Sequence, residues 1–128
     1  MSKTKGHRLG DLQLKIMKIL WLLGEAPVAD IHDKLGGSRA FAYTTIATML
    51  RKMETRGLVR HRTEGRSFVY RPAVTEDAVT RRMADDLLER VFEGSLSGMV
   101  SHLLTTREVS GEELTRLEKL ITERRKRK

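Results

Sequence analysis

The side chains best suited to chemistry lie together in the stretch FAYTTIATMLRKMETRG, residues 41–57. Tyr43, Thr44 and Thr45 supply three adjacent hydroxyl groups, and Arg51 and Lys52 supply cations further along. Hydroxyl groups can hydrogen-bond to base edges or to phosphates, and basic side chains neutralise phosphate charge. This combination of residue types indicates binding of a polyanion.

Helical spacing determines which of these side chains face outward. Five apolar residues fall on one face of a helix and are predicted to face the core: Ala42, Ile46, Met49, Leu50 and Met53. The hydroxyl-bearing and basic side chains lie largely off that stripe, and Gly57 is the expected C-terminal stop. The N-terminal turn of such a helix can therefore meet phosphates or base edges.

Two shorter helices are predicted before this helix, and a β-hairpin is predicted after it. Apolar residues at helical spacing mark residues 11–23 and the stretch VADIHDKL, and glycine follows each. The segments LVRHR and SFVYR flank TEGR, in which Gly65 can adopt a positive φ angle. The order helix, helix, helix, hairpin predicts a winged helix-turn-helix domain over residues 1–73, with residues 41–56 as recognition helix.

The recognition helix and the hairpin contribute the candidate DNA-binding residues. In the helix they are Ala42, Tyr43, Thr44, Thr45, Thr48, Arg51 and Lys52. In the hairpin, or wing, they are Arg62, Gly65 and Arg66, placed for a neighbouring phosphate or a minor groove. Tyr43 could instead be a core residue at the side of the helix, and Thr45 could pack or bond back to the helix.

Charge is distributed unevenly along the chain, whose net charge is +8. Residues 38–71 hold eight Lys and Arg against two Asp and Glu, whereas residues 75–118 hold five against ten. The last ten residues hold six against one, and their run ERRKRK is expected to fray. A basic block inside a folded segment favours a polyanion partner, although a solvated surface can have the same composition.

Residues 74–128 are predicted to form an all-helical dimerisation domain. Thr75 and the capping box at residues 110–113 (SGEE) mark two helix starts. So short a segment buries too little surface to be stable alone, so its apolar stripes require cover. A second copy of the chain would provide that cover with two-fold symmetry; folding back on the first domain is the alternative. The candidate dimerisation residues are Val79, Met83, Leu87, Val91, Leu96, Met99, Val100, Leu103, Leu104, Leu114, Leu117, Leu120 and Ile121.

The stretches LGDLQLKIMKILW, AYTTIATMLRKMETRGLV and GRSFVYRP resemble the penicillinase-repressor family. Its members are winged-helix repressors that control β-lactamase and methicillin-resistance genes in bacteria, and relatives control copper genes. The resemblance implies a homodimer that binds an inverted-repeat DNA operator and blocks transcription. It also implies that residues 42–45 open the recognition helix, that the wing surrounds Gly65, and that the C-terminal helices interlock between chains.

In the best-known members of that family, a membrane metalloprotease sensor responds to the antibiotic. The repressor is then cut within its C-terminal helices, between Asn and an aromatic residue. The corresponding cleavage region here is Ser101, His102 and Leu103, so His102-Leu103 replaces the family's bond. The copper-responsive relatives carry a Cys-rich tail, and this chain has no Cys.

Other kinds of chemistry have little support in the sequence. The absence of Cys excludes disulfides and thiolate metal sites, and the four His residues are far apart. His32 is expected to face solvent. The stretch GSLSG resembles a nucleophile elbow, but its central residue is Leu96. We therefore expect no enzyme activity, no cofactor and no metal. No apolar run approaches the about 20 residues of a membrane span, so we expect a cytoplasmic protein.

These observations predict a mainly α protein with a winged-helix domain and a helical dimerisation domain. The favoured function is sequence-specific transcriptional repression by a homodimer on double-stranded DNA, relieved by a partner sensor or protease. A protein that coats nucleic acid without sequence preference is an alternative, because the charge is lopsided. A winged-helix module that binds an acidic protein is another.

Overall fold

The computed structural model of the protein describes residues 9–127. Its first part contains three helices in the predicted order: α1 (Asp11–Leu23), α2 (Val28–Lys34) and α3 (Tyr43–Thr55). A two-residue strand, β1 (Ala26–Pro27), lies between α1 and α2, and a short 3-10 turn at Gly37–Arg39 precedes α3. Gly57 has a φ of 83° just beyond α3, which is the left-handed conformation expected of a glycine stop.

The predicted hairpin is present as β2 (Val59–Glu64) and β3 (Ser67–Pro72). The two antiparallel strands are joined by a tight turn, in which Gly65 has a φ of 64°. Strand β1 pairs with the other edge of β3, where Ala26 lies opposite Tyr70, so the sheet order is β1-β3-β2. The third strand was not predicted, because two residues show no alternating pattern.

The core of this first part is built from all three helices and the sheet. Its residues are Ile16, Met17, Leu20, Ala26, Val28, Ile31, Ile46, Leu50, Met53, Leu58, Val59 and Tyr70. Ile46, Leu50 and Met53 confirm the inward stripe of α3. The prediction was wrong for Ala42, which is exposed because it is the extended N-cap residue just before the helix.

The rest of the described chain is helical: α4 (Glu76–Phe92), α5 (Leu96–Thr106) and α6 (Gly111–Arg127). The Thr75 hydroxyl accepts a hydrogen bond from the Ala78 N–H at 3.1 Å, and the Ser110 hydroxyl accepts one from the Glu113 N–H at 3.1 Å. Thr75 and Ser110 therefore cap α4 and α6 as predicted. The full capping box is not confirmed, because the Glu113 carboxylate accepts a hydrogen bond from Arg116. The expected fraying of ERRKRK is wrong for residues 123–127, which continue α6.

The chain divides into two compact units, Met1–Asp85 and Asp86–Lys128. The division falls inside α4, and the predicted domain boundary at residues 73 and 74 stays a prediction. Val79, in the second turn of α4, is only 1% exposed within a single chain. Its side chain is thus covered without a second copy, and its assignment to the dimer surface stays a prediction. No helix in the described part of the chain is long and apolar enough to cross a membrane.

Candidate nucleic-acid interface

The first turn of α3 presents its polar side chains to solvent. Tyr43, Thr44 and Thr45 are all exposed, and Tyr43 retains 47% of its surface, so it is not a core residue. No side chain caps the helix at Ala42. The positive end of the helix dipole and its first N–H groups can therefore attract an anion.

His32 packs against the inner side of this turn. The expectation that it faces solvent is wrong. The side chain is 9% exposed, and its Nε2 lies 2.8 Å from the carbonyl oxygen of Phe41. A carbonyl can only accept, so Nε2 carries the hydrogen. The His32 ring also meets the Tyr43 ring edge-on, with centroids 5.5 Å apart. The sequence contained a signal, since His32 follows the buried Val28 by four positions on α2.

Further along α3, the side chains of Thr48, Arg51 and Lys52 are exposed. In the wing, Gly65 and Arg66 lie exposed at the turn between β2 and β3. Within the part of the chain that the structure describes, Arg51, Lys52 and Arg66 have no carboxylate partner. Their charges are therefore available to an external anion.

Arg62 differs from these three cations, because carboxylates of the same unit already hold it. Its Nη2 donates to Glu25 Oε2 at 2.8 Å, and its Nη1 lies 3.7 Å from Glu64 Oε1. The hydrogen bond from Arg62 lowers the pKa of Glu25, and the same bond raises the pKa of Arg62. A role for Arg62 in binding DNA stays a prediction, and it would require an exchange of partners.

A groove of about 280 Å³ separates α3 from the wing, and we call it the α3–wing groove. Its lining residues are Pro27, Val28, Ala29, Tyr43, Ala47, Arg51, Arg66, Ser67, Phe68 and Tyr70. Burial raises the pKa of Tyr70, and the negative charge of Glu54 adds to this effect while Arg51 opposes it. The groove thus brings Arg51 of α3 and Arg66 of the wing to one place on the surface.

A contact between α3 and the sheet lies beside this groove. Nδ1 of His61, on β2, is 2.8 Å and 2.9 Å from the two carboxylate oxygens of Glu54, on α3. The His61 ring stacks on Phe68 with centroids 4.0 Å apart and an interplanar angle of 17°. We call Glu54, His61 and Phe68 the wing pin. Sequence reasoning missed it, because its members come from three elements and share no local pattern.

The second unit exposes many apolar side chains. Nine of the candidate dimerisation residues are exposed in the single chain: Leu87, Val91, Leu96, Val100, Leu103, Leu104, Leu114, Leu120 and Ile121. Met83, Met99 and Leu117 are half-buried. Single exposed apolar residues are ordinary, but so many on three consecutive helices indicate a surface that another molecule covers.

The candidate cleavage region lies within α5. Ser101, His102 and Leu103 are exposed, and the His102 carbonyl accepts a hydrogen bond from the Thr106 hydroxyl at 2.8 Å. The His102 ring lies 5.9 Å from the ring of Phe92. Cleavage here would require local opening of the helix, and it stays a prediction. Among the residues described, no three His, Asp or Glu side chains are placed to hold a metal ion.

Comparison with known proteins identifies the family. The family model described as Penicillinase repressor matches residues 9–123. The chain belongs to the penicillinase repressor family. It is 30% identical over 121 residues to the penicillinase repressor of Bacillus licheniformis, an alignment that covers 94% of each chain. It is 32% identical over 103 residues to the transcriptional regulator BlaI of Mycobacterium tuberculosis, covering 79% of this chain and 75% of that one.

A solved structure supports the fold. A winged helix-turn-helix DNA-binding domain from Mycobacterium bovis, described as homodimeric, matches with a TM-score of 0.50 and 24% identity. The match covers 73% of this chain and 82% of that chain. The predicted winged-helix fold and the resemblance to the penicillinase-repressor family are therefore confirmed, whereas the individual site residues stay predictions.

Proposed function

We propose that this protein is a homodimeric transcriptional repressor that binds an inverted-repeat operator in double-stranded DNA. The observation that carries the proposal is the surface shared by α3 and the wing. It combines the exposed hydroxyl turn at Tyr43, Thr44 and Thr45 with Arg51 and Arg66, which have no carboxylate partner within residues 9–127. The relatives named as penicillinase repressor and as transcriptional regulator support the same class of function.

The two kinds of side chain on this surface have different roles. The hydroxyl groups of Thr44 and Thr45 and the phenol of Tyr43 meet base edges when the start of α3 enters a major groove. Arg51, Lys52 and Arg66 contact phosphates and give affinity without sequence preference. Sequence preference then resides in the first turn of α3, and salt dependence resides in the cations.

The second unit holds two copies together. The apolar side chains exposed on α4, α5 and α6 are the surface that the second copy covers. A two-fold dimer places two recognition helices on one face, which matches an inverted repeat with half-sites about one helical turn apart. The same argument makes DNA binding depend on dimer concentration.

Repression is relieved through a partner sensor or protease. The family resemblance supports control of antibiotic-resistance genes and a membrane sensor protease as partner. The region at Ser101, His102 and Leu103 is the position at which such a protease would cut. The His102-Leu103 bond differs from the family's Asn-aromatic bond, so a protease that acts here must accept a different side chain.

Selection of binding sites from random DNA tests the proposal. Selected fragments are titrated by fluorescence anisotropy against a scrambled competitor at two salt concentrations. Convergence on an inverted repeat, with binding that follows dimer concentration, is the expected result. Salt-sensitive binding with no preferred motif would instead identify a non-specific nucleic-acid coat. The helical basic end of α6, with Arg124, Arg125, Lys126 and Arg127, is the observation that favours this second function.

A further inference from the structure

We infer that the α3–wing groove binds one DNA backbone strand. Arg51 and Arg66 contact the same phosphate group of that strand. The wing pin of Glu54, His61 and Phe68 keeps the two walls of the groove, α3 and the wing, at a fixed spacing. The inference rests on the proposed function and deepens it. It assigns two cations from different elements to a single phosphate and gives Glu54 and His61 a positioning role.

The charges of the groove support this assignment. Arg51 lines one wall from α3, and Arg66 lines the other from the turn of the wing. In the described residues neither guanidinium has a carboxylate partner, whereas the nearby Arg62 is already bound to Glu25. Two like charges that line one groove repel each other, and an anion between them removes that cost. The guanidinium fork also matches the geometry of phosphate oxygens.

The apolar lining of the groove indicates which kind of anion binds there. Tyr43 and Phe68 are 47% and 40% exposed, and both line the groove together with Pro27 and Ala29. Exposed rings and aliphatic carbons offer nothing to a free inorganic phosphate. They do match deoxyribose carbons, and a nucleic-acid backbone alternates such carbons with phosphates. The chemistry of the groove therefore fits a sugar–phosphate strand.

The wing pin explains how the walls keep their spacing. Glu54 follows Arg51 by three positions on α3, so the two side chains lie on neighbouring parts of one helix face. His61 is bonded to Glu54 by its Nδ1 and is stacked on Phe68 by its ring. One imidazole thus connects the helix that carries Arg51 to the strand that carries Phe68, next to Ser67 and Arg66. Neither Glu54 nor His61 lines the groove, so they act on DNA through the wall residues.

A scan of single neutral linkages tests whether the two cations share one phosphate. Each phosphate of the selected operator is replaced in turn by an uncharged methylphosphonate, and affinity is measured for the wild type, Arg51→Gln and Arg66→Gln. The affinity of the wild type is expected to fall about tenfold or more when the methylphosphonate replaces one particular phosphate in each half-site. Each arginine variant is expected to have lost that sensitivity at the same linkage. Lys52→Gln, an exposed cation of α3 outside the groove, is the matched control and keeps it.

Every other outcome of this scan contradicts the inference that Arg51 and Arg66 share one phosphate in the α3–wing groove. Sensitivity lost at two different linkages would show that Arg51 and Arg66 contact separate phosphates. Sensitivity unchanged in both variants would show that the groove does not hold the backbone. These results differ from failure of the proposed function, in which the wild type selects no operator and the scan cannot begin.

A second pair of variants tests the positioning role. Glu54→Gln keeps an acceptor near His61 without the negative charge, and Glu54→Ala removes the contact. Sensitivity at the shared linkage is expected to fall by roughly twofold to tenfold in Glu54→Ala and by less in Glu54→Gln. Linkages contacted through Lys52 are expected to respond as in the wild type. Asp77→Asn, which removes the exposed ion pair to Arg81 on α4, controls for general loss of an ion pair. Equal losses at all linkages in Glu54→Ala would reduce the wing pin to a structural contact.

Discussion

The two units of the chain expose different kinds of side chain that a partner could cover. In the first unit three helices and a sheet enclose one apolar core, and among the described residues Arg51 and Arg66 line a surface groove without a carboxylate partner. In the second unit two ion pairs lie along the helices, Asp86 with Arg90 and Glu113 with Arg116, while apolar side chains of α4, α5 and α6 remain exposed. A surface that lacks counter-charge suits a polyanion, and one that lacks apolar cover suits another protein.

This contrast separates folding from assembly. The first unit buries the side chains that its stability requires within one chain. The stability of the second unit is linked by mass action to the concentration of whatever covers it. Substitutions of the same chemical kind are therefore expected to have different consequences in the two units.

The largest expected effect is a cavity in the first unit. Leu20, on α1, has no exposed surface, so Leu20→Ala is expected to cost about 2–5 kcal/mol in the free energy of unfolding. Leu22→Ala is the matched control on the same helix, since Leu22 is 80% exposed and its truncation should cost less than about 0.5 kcal/mol. Urea unfolding followed by circular dichroism measures both. Equal losses would mean that the core of the first unit is not the one described.

The next effect distinguishes burial within a chain from burial between chains. Val79 and Val91 lie on the same helix, α4, but are 1% and 58% exposed. Val79→Ala is expected to cost roughly 2 kcal/mol at every protein concentration, because it removes two buried methyl groups. Val91→Ala is expected to weaken dimerisation, so its effect should appear as a shift in the concentration at which monomers form.

Analytical ultracentrifugation over a range of concentrations, combined with urea unfolding, separates these two results. A Val91→Ala variant that dimerises as the wild type does would remove Val91 from the proposed dimer surface. If the loss of stability in Val79→Ala disappeared at high protein concentration, Val79 would belong to the proposed dimer surface.

Local patterns in the sequence predicted most of the framework. The three helices followed from apolar periodicity, the wing from two short β-rich segments around Gly65, and two helix starts from Thr75 and Ser110. These features depend on residues that are close in the sequence, so a single sequence contains the necessary information. The same property explains why the winged-helix class could be predicted before any contact was known.

Features that depend on distant residues could not be predicted in the same way. Strand β1 exists because Ala26 pairs with Tyr70, and Arg62 is held because Glu25 reaches it from 37 positions away. The wing pin joins Glu54 of α3 to His61 of β2, across the turn that follows the helix. Pairing of this kind is decided by tertiary packing, and charge counts along the chain treat Arg62 and Arg66 as equivalent when their surroundings differ.

His32 shows how a buried polar contact can affect the candidate site. His32→Phe keeps a ring against Tyr43 but removes the hydrogen bond to the Phe41 carbonyl, which should cost about 1 kcal/mol in the free energy of unfolding. The loop that leads into α3 loses its attachment to α2, so operator affinity is expected to fall more than affinity for random DNA. Parallel anisotropy titrations on the two DNAs measure this. Equal losses on both would confine His32 to a role in stability.

The smallest effect concerns the ion pair between Glu25 and Arg62, which is exposed on both sides. The pKa of Glu25 is lowered in the folded protein from its ordinary value of 4.5, mainly by the hydrogen bond from Arg62. A carboxyl group with a lowered folded pKa stabilises the fold above its unfolded pKa, and this contribution is lost as the pH falls through the folded value. The difference in stability between wild type and Glu25→Gln should therefore be present above about pH 4.5 and shrink toward zero below it. Urea midpoints measured from neutral pH into this acid range test the sign. A difference that grows on acidification would show instead that the fold disfavours the charged form of Glu25.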